Sequence, residues 1–181
     1  MNVNDNYWTM IPATSSFGFT LYAYTEDGFE NIVFPTDDIF NGSSYNVTYH
    51  YRGLPNKTTE YHLFFPNFEE VLPESMIFEI DDYATIKFAK SFNERPVVIY
   101  GTSITHGKAP AHPAITWANI VHRRIDHPIR NFGIAGEAMM ENATVSLVLE
   151  TEPIAIIYDC LPNLCRQPLN TQIERQVNAV Q

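Results

Sequence analysis

The spacing of apolar residues changes near residue 90, and this change constrains the fold more than any other feature of the sequence. Before it, runs of alternating apolar and polar residues are separated by turn-forming stretches; the runs are 19–24, 46–51, 60–65 and 76–80. A period of two with many Tyr and Phe side chains is typical of antiparallel strands that bury one face. Residues 1–90 are therefore predicted to form a β-sandwich domain without helices.

After residue 94 the pattern alternates between strand and helix. Apolar runs predict strands at 96–100, 129–133 and 154–158; helical spacing predicts helices near 114–125 and 140–150, and the polar stretch 169–181 ends the sequence. Such alternation is typical of a parallel sheet with crossover helices, so a second, α/β domain is expected at 95–181. Sites in these sheets form beyond the carboxyl ends of the strands.

Charge and composition exclude several classes of partner. The chain of 181 residues carries a formal net charge of -10 with only 11 Lys and Arg, which argues against nucleic acid or an anionic membrane surface. No apolar stretch is long enough to span a membrane, and the N-terminus lacks the basic and apolar regions of a signal peptide. Cys160 and Cys165 do not form a disulfide framework, and Cys160 is expected to be a small buried residue.

The stretch YGTSITHGK, residues 100–108, places a serine directly after a predicted strand. The spacing of Gly101 and Gly107, followed by Lys108 and Ala109, excludes a Walker phosphate loop, and no G-x-G-x-x-G dinucleotide motif is present. A turn of this kind exposes a hydroxyl at the edge of the sheet. Ser103 is therefore either a nucleophile or a loop residue that satisfies nearby amides.

Two later stretches favour the nucleophile. NFGIAGE ends the second predicted strand of the α/β domain and IIYDCLPNL ends the third, so Ser103, Gly136 and Asn163 are expected at one edge of the sheet. A serine beside a glycine amide and an asparagine amide has the composition of an oxyanion hole, whose donors stabilise charge that develops in the transition state.

In this order and at these separations, GTSITHG, NFGIAGE and DCLPN resemble the first three sequence blocks of the SGNH hydrolases, also called GDSL-type lipases or acylhydrolases. The closest similarity is to the subgroup in which a small β-sandwich with a G-x-D-L-Y motif precedes the hydrolase domain. GFTLY, residues 18–22, stands in the place of that motif, with Thr20 where the subgroup has Asp. The resemblance implies a β-sandwich followed by a flavodoxin-like hydrolase domain, here incomplete at its C-terminus.

The resemblance also implies residue roles. Ser103 matches the nucleophile and supplies one oxyanion amide, Gly136 matches the glycine that supplies a second amide, and Asn163 matches the asparagine whose side chain is the third donor. Thr102, His106 and Glu137 are expected to line the substrate site. The implied reaction is hydrolysis of an ester of an alcohol, sugar or lipid through an acyl-enzyme, with no metal or organic cofactor. An acylated carbohydrate is one such substrate, and the resemblance suggests a bacterial and exported setting.

The sequence departs from the family pattern at two places. Glu137 stands where the second block commonly has Asn or Asp, and the fourth block, D-x-x-H, is absent, since no histidine follows Asn163. Serine needs an adjacent base, and the general base is therefore unassigned. His106 and His112 are weak candidates for it, whereas His122 and His127 flank a predicted helix end and are expected to have a capping role. A noncatalytic protein that binds a carbohydrate or another ligand, or an inactive fragment, is the alternative.

Overall fold

A computed structural model of the chain divides into two compact units. One comprises Phe92–Pro110 and Ile115–Gln181, and the other comprises Pro12–Ser91 together with Ala111–Ala114. The structure describes residue 15 and residues 18–33, 50–51, 54, 57–68, 71–72, 74, 76–89, 94–125 and 127–181. The unit that contains Ile115–Gln181 is called the C-terminal unit, and the unit that contains Pro12–Ser91 is called the N-terminal unit.

The described part of the N-terminal unit contains a three-stranded antiparallel sheet in the order β2-β1-β3, formed by β1 (Thr20–Thr25), β2 (Gly28–Val33) and β3 (Glu60–Phe64). A tight turn joins β1 and β2, and the Thr25 hydroxyl donates to the carbonyl oxygen of Gly28 at 3.0 Å. Tyr22 and Phe64 pack edge to face with ring centroids 5.6 Å apart, so at least part of the aromatic pattern serves packing.

Two of the four predicted N-terminal strands are found, as β1 and β3, and β2 begins within the turn-forming stretch that follows the first predicted run. The strand predicted at 76–80 is wrong: these residues have no regular structure, and Ile77 is 86% exposed. Of the strand predicted at 46–51, residues 46–49 lie outside the described residues. The antiparallel sheet confirms the predicted class of this half, while a second sheet, which a sandwich requires, stays a prediction.

The C-terminal unit alternates strands and helices, as the sequence predicts. Its elements are β4 (Val97–Gly101), α1 (Ser103–His106), a 3-10 turn (Pro113–Ile115) that begins in the neighbouring unit, α2 (Trp117–Ile125), β5 (Ile129–Gly133), α3 (Asn142–Leu149), β6 (Ala155–Asp159), α4 (Leu161–Leu164) and α5 (Leu169–Asn178). The stretch 169–181, interpreted only as a polar tail, is thus mostly helical.

The strands of the C-terminal unit form a parallel sheet in the order β5-β4-β6. With the first strand in the middle, this is the beginning of a flavodoxin-like order, which confirms the predicted fold class. The register pairs Gly101 with Gly133 on one side and with Asp159 on the other. All three strands therefore end at the same level of the sheet.

An apolar cluster of described residues lies on one face of this sheet. Val98 and Tyr100 of β4 point into it because alternate residues of a strand share a face. The helices and loops contribute the remaining buried members, which are Ala138, Met140, Val145, Val148, Cys160, Leu164 and Ala179. Cys160 is 1% exposed, which confirms its interpretation as a small core residue. Within the described residues, no helix is both long and apolar enough to cross a membrane.

Candidate functional site

The common end point of the three parallel strands defines the candidate site. Ser103 begins the helix that follows Gly101, Gly136 lies in the loop after Gly133, and Asn163 lies in the helix that follows Asp159. Two backbone hydrogen bonds extend the pairing past the strands: Thr102 donates to the Asp159 carbonyl at 3.3 Å, and Ile134 donates to the Gly101 carbonyl at 2.8 Å. The sheet thus brings the first residues of all three loops to one edge.

Ser103 is the first residue of α1 and is half-buried. Thr102, which precedes it, is 2% exposed and has an extended backbone, so the chain turns sharply from strand to helix at the serine. The turn is closed by the amides of His106 on the Thr102 carbonyl and of Lys108 on the Ser103 carbonyl, at 2.9 and 3.0 Å. This short helix gives the serine a fixed backbone at the edge of the sheet.

Gly136 lies in an exposed loop with a φ of +84°, a left-handed conformation that favours glycine. The loop is tightened by the amide of Glu137, which donates to the Ile134 carbonyl at 3.3 Å. Arg166, two residues after α4, also holds the loop, because its Nη1 donates to the Gly136 carbonyl at 3.3 Å. The left-handed conformation of Gly136 and these two hydrogen bonds together set the direction of its peptide group.

Asn163 lies in α4 and is 5% exposed. Its Nδ2 donates one hydrogen bond to the carbonyl oxygen of Glu137 at 2.5 Å. An amide NH2 carries two hydrogens, so this bond leaves a second donor. Glu137 therefore acts on Asn163 through its main chain, while its side chain is exposed.

Thr105, which no sequence motif singles out, holds α1 on β5 and β6. Its hydroxyl donates to Oδ2 of Asp159 at 2.7 Å, and its carbonyl accepts a bond from Nδ2 of Asn131 at 2.8 Å. Oδ1 of Asn131 in turn accepts from the Gly133 amide at 2.8 Å.

Two glycines allow α1 to lie close to the ends of the strands. A Cβ at Gly133 would overlap the backbone of His106 and Thr105, and a Cβ at Gly101 would overlap the Thr105 hydroxyl and Asp159. Because both positions lack a side chain, α1 packs directly on the strand ends. Glycine at two strand ends beside a serine is a sequence signal that points to such a close approach.

Four of the six histidines were candidates for the base or for capping α2, and they lie in three settings. His106 ends α1, three residues after Ser103, and is half-buried. His112 belongs to the N-terminal unit, where its Nδ1 lies 3.3 Å from Oγ1 of Thr20. Nδ1 of His122 donates to the His127 carbonyl at 2.8 Å, and His127 contacts Glu94 at 2.9 Å. The bond between His122 and His127 thus connects the end of α2 to the segment that leads into β5.

An open groove of about 750 Å³ lies at the opposite, amino-terminal edge of the sheet. Its lining includes Arg95, Ile154, Ala155 and Val180. The groove extends along β6 from Ala155 to Tyr158, and its lining includes neither Asp159 nor Ser103. In the described part of the chain, no three His, Cys, Asp or Glu side chains gather where they could hold a metal ion.

The parallel sheet with a serine in its first loop places the C-terminal unit in the class of flavodoxin-like α/β domains. Residues 94–181 match the model of the GDSL-like Lipase/Acylhydrolase family. The prediction made from GTSITHG, NFGIAGE and DCLPN is thereby confirmed. The G-x-D-L-Y subgroup stays a prediction; Thr20, at the departure from that motif, is buried in β1.

A search of solved structures matches the crystal structure of a protein from Bacteroides ovatus ATCC 8483 that is described as a GDSL-like lipase. The TM-score is 0.67 at 20% identity, over 97% of this chain and 50% of that one. At this identity the match shows the fold, and this chain spans about half the length of that protein. No curated protein matches the sequence.

Proposed function

We propose that the protein is a serine ester hydrolase in which Ser103 forms an acyl-enzyme and the amides of Ser103 and Gly136 and the side chain of Asn163 stabilise the oxyanion. The observation that carries the proposal is the in-register ending of β4, β5 and β6, from which the three loops start. The match of residues 94–181 to the GDSL-like lipase/acylhydrolase family model supports ester hydrolysis as the reaction class.

In the proposed reaction, Oγ of Ser103 bonds to the acyl carbon and its proton passes to a base. The ester C–O bond then breaks, and the leaving alcohol takes up that proton. Water releases the acid from the acyl-enzyme and restores the serine hydroxyl. Asn163 suits the oxyanion role because its bond to the Glu137 carbonyl fixes the amide while one N–H stays available.

The base is the open element of this proposal. The family's D-x-x-H block has no counterpart in the 181 residues, and His106 is the histidine nearest to Ser103 in the chain. A protein that binds a carbohydrate or other ligand without turnover is the alternative that this departure favours. A small-molecule ester, including an acylated carbohydrate, is the proposed substrate class.

The test is incubation with a fluorophosphonate probe followed by intact mass measurement. Ser103→Ala removes the proposed nucleophile, and Ser146→Ala, at an exposed position on α3, is the matched control. We expect one adduct on the wild type and on Ser146→Ala and none on Ser103→Ala. A folded wild type that forms no adduct would contradict the acyl-enzyme in this chain and favour the binding alternative.

A further inference from the structure

We infer that Thr105 positions the proposed nucleophile. Its hydrogen bonds to Asp159 and Asn131, together called the lock, hold α1 on β6 and β5 and so fix the backbone of Ser103. The inference rests on the proposed function for its catalytic meaning. The lock itself is a property of the fold and is testable separately.

The first contact joins α1 to β6. Thr105 is fully buried, and its hydroxyl reaches the carboxylate of Asp159, the last residue of that strand, at 2.7 Å. A hydroxyl on a carboxylate is a charge-assisted hydrogen bond, about twice as strong as a neutral one. Asp159 therefore accepts a hydrogen bond from α1 at the end of β6.

The second contact joins α1 to β5 through the same residue. The Asn131 amide donates to the Thr105 carbonyl and accepts from the Gly133 amide, both at 2.8 Å, so its side chain is fixed at both ends. Thr105 is thus held from opposite sides by its side chain and its main chain. A helix of four residues has too few internal hydrogen bonds to be stable alone, so its position depends on such contacts.

The lock acts on Ser103 because the two residues share one helical turn. The His106, Gly107 and Lys108 amides close that turn on the carbonyls of residues 102, 104 and 103. If Thr105 loosens, these amides open more often and the serine loses its fixed place relative to the oxyanion donors. Displacements of about 1 Å at a reacting group cost about 100-fold in rate.

The test compares Thr105→Val, which removes the hydroxyl at nearly constant volume, with Thr105→Ser, which keeps it. Thr151→Val is the matched control, because the Thr151 hydroxyl makes a bond of equal length, 2.7 Å, to the Val148 carbonyl away from the candidate site. Asn131→Asp removes the second contact but keeps the acceptor for the Gly133 amide, and it decides the question if Thr105→Val does not fold.

Hydrogen–deuterium exchange of the peptide covering 103–108 is the first measurement, with the peptide covering α5 as the reference. We expect Thr105→Val and Asn131→Asp to speed exchange of 103–108 about tenfold and leave α5 unchanged, while Thr105→Ser and Thr151→Val behave as the wild type in that segment. Unchanged exchange at 103–108, or equal acceleration of both peptides, would overturn the lock.

The second measurement is the rate of fluorophosphonate labelling. Thr105→Val should label about tenfold more slowly than the wild type, and Thr105→Ser should restore the rate. A Thr105→Val protein with the wild-type labelling rate would overturn the positioning role even if its exchange is faster. If the wild type is not labelled, the proposed function fails, and the exchange result alone decides whether the lock exists.

Discussion

At the scale of single residues, the candidate site depends on glycines that serve different physical needs. Gly136 has a left-handed backbone and open space around its missing Cβ. Gly133 has no such conformation, but the backbone of α1 occupies the space that a side chain would fill. The first position is constrained by the chain itself, and the second by packing between two elements.

Alanine at each glycine separates the two effects. Gly136→Ala should lower the free energy of unfolding by about 1 kcal/mol, because only the left-handed conformation penalises the new methyl group. Gly133→Ala should cost more, about 2 kcal/mol or above, because α1 must move. Urea denaturation followed by circular dichroism measures both values, and a smaller loss for Gly133→Ala would contradict the close approach of α1.

At the scale of elements, α3 shows how the strands of the C-terminal unit are connected. Its last turn ends with Thr151 and Glu152 donating to the carbonyls of Val148 and Leu149, at 3.2 and 3.0 Å. Glu152 has a φ of +49°, the conformation in which a helix commonly ends on glycine. Its carbonyl also accepts a bond from Nε of Arg95 at 2.8 Å, so the strained residue anchors the entry to β4.

Glycine substitutions at two nearby glutamates test this interpretation. Glu152→Gly should raise the free energy of unfolding by about 1 kcal/mol, because glycine adopts the left-handed conformation without steric cost. Glu150→Gly removes the same charge at a residue with a φ of -59°, and it should lower that free energy by up to about 1 kcal/mol. Chemical denaturation distinguishes them; two changes of the same sign would refute the backbone argument.

At the scale of the whole molecule, the core of the C-terminal unit holds several ionisable groups in neutral form. Burial raises the pKa of Cys160 from 9.0 to about 12, and the charges of Asp159 and Glu141 add to this effect. Burial also raises the pKa of Tyr100, whose hydroxyl donates to Glu141 at 2.9 Å, and the pKa of Tyr158. The folded protein therefore binds these protons more tightly than the unfolded chain does.

This difference predicts a loss of stability in alkali. The contribution is fully present below the unfolded pKa of the thiol, 9.0, and it is lost as the pH rises toward the folded value of about 12. Urea midpoints measured from about pH 7 to about pH 10.5 should fall steeply above about pH 9 for the wild type.

The exposed second cysteine supplies the control. Cys165→Ala should keep the alkaline fall in stability, and Cys160→Ala should reduce it, although it costs some stability at neutral pH because it leaves a cavity. Identical pH profiles for Cys160→Ala and the wild type would show that the thiol is not responsible.

Most of the α/β unit could be predicted because its signals are local. Apolar runs set β4, β5 and β6 to within one residue at most ends, and the helical spacing found α2 and α3. The helix α5 was missed because the stretch is polar on average, although Leu169, Ile173 and Val177 recur every four residues, as apolar residues on one helix face do. The strand predicted at 76–80 is wrong although the run is apolar, because Ile77, Phe78 and Ile80 are 86%, 50% and 48% exposed and gain no burial from a sheet.

The sequence alone predicts β4, β5 and β6, the helices α2 and α3 between them, and the positions of Ser103, Gly136 and Asn163 after the three strands. These depend on periodicity and turn chemistry, which act between neighbours in the chain. The tertiary structure alone decided that the strands end in register and that Thr105 binds both Asp159 and Asn131. Those contacts join residues 54 and 26 positions apart, and no local pattern specifies which distant partner a hydroxyl or an amide will meet.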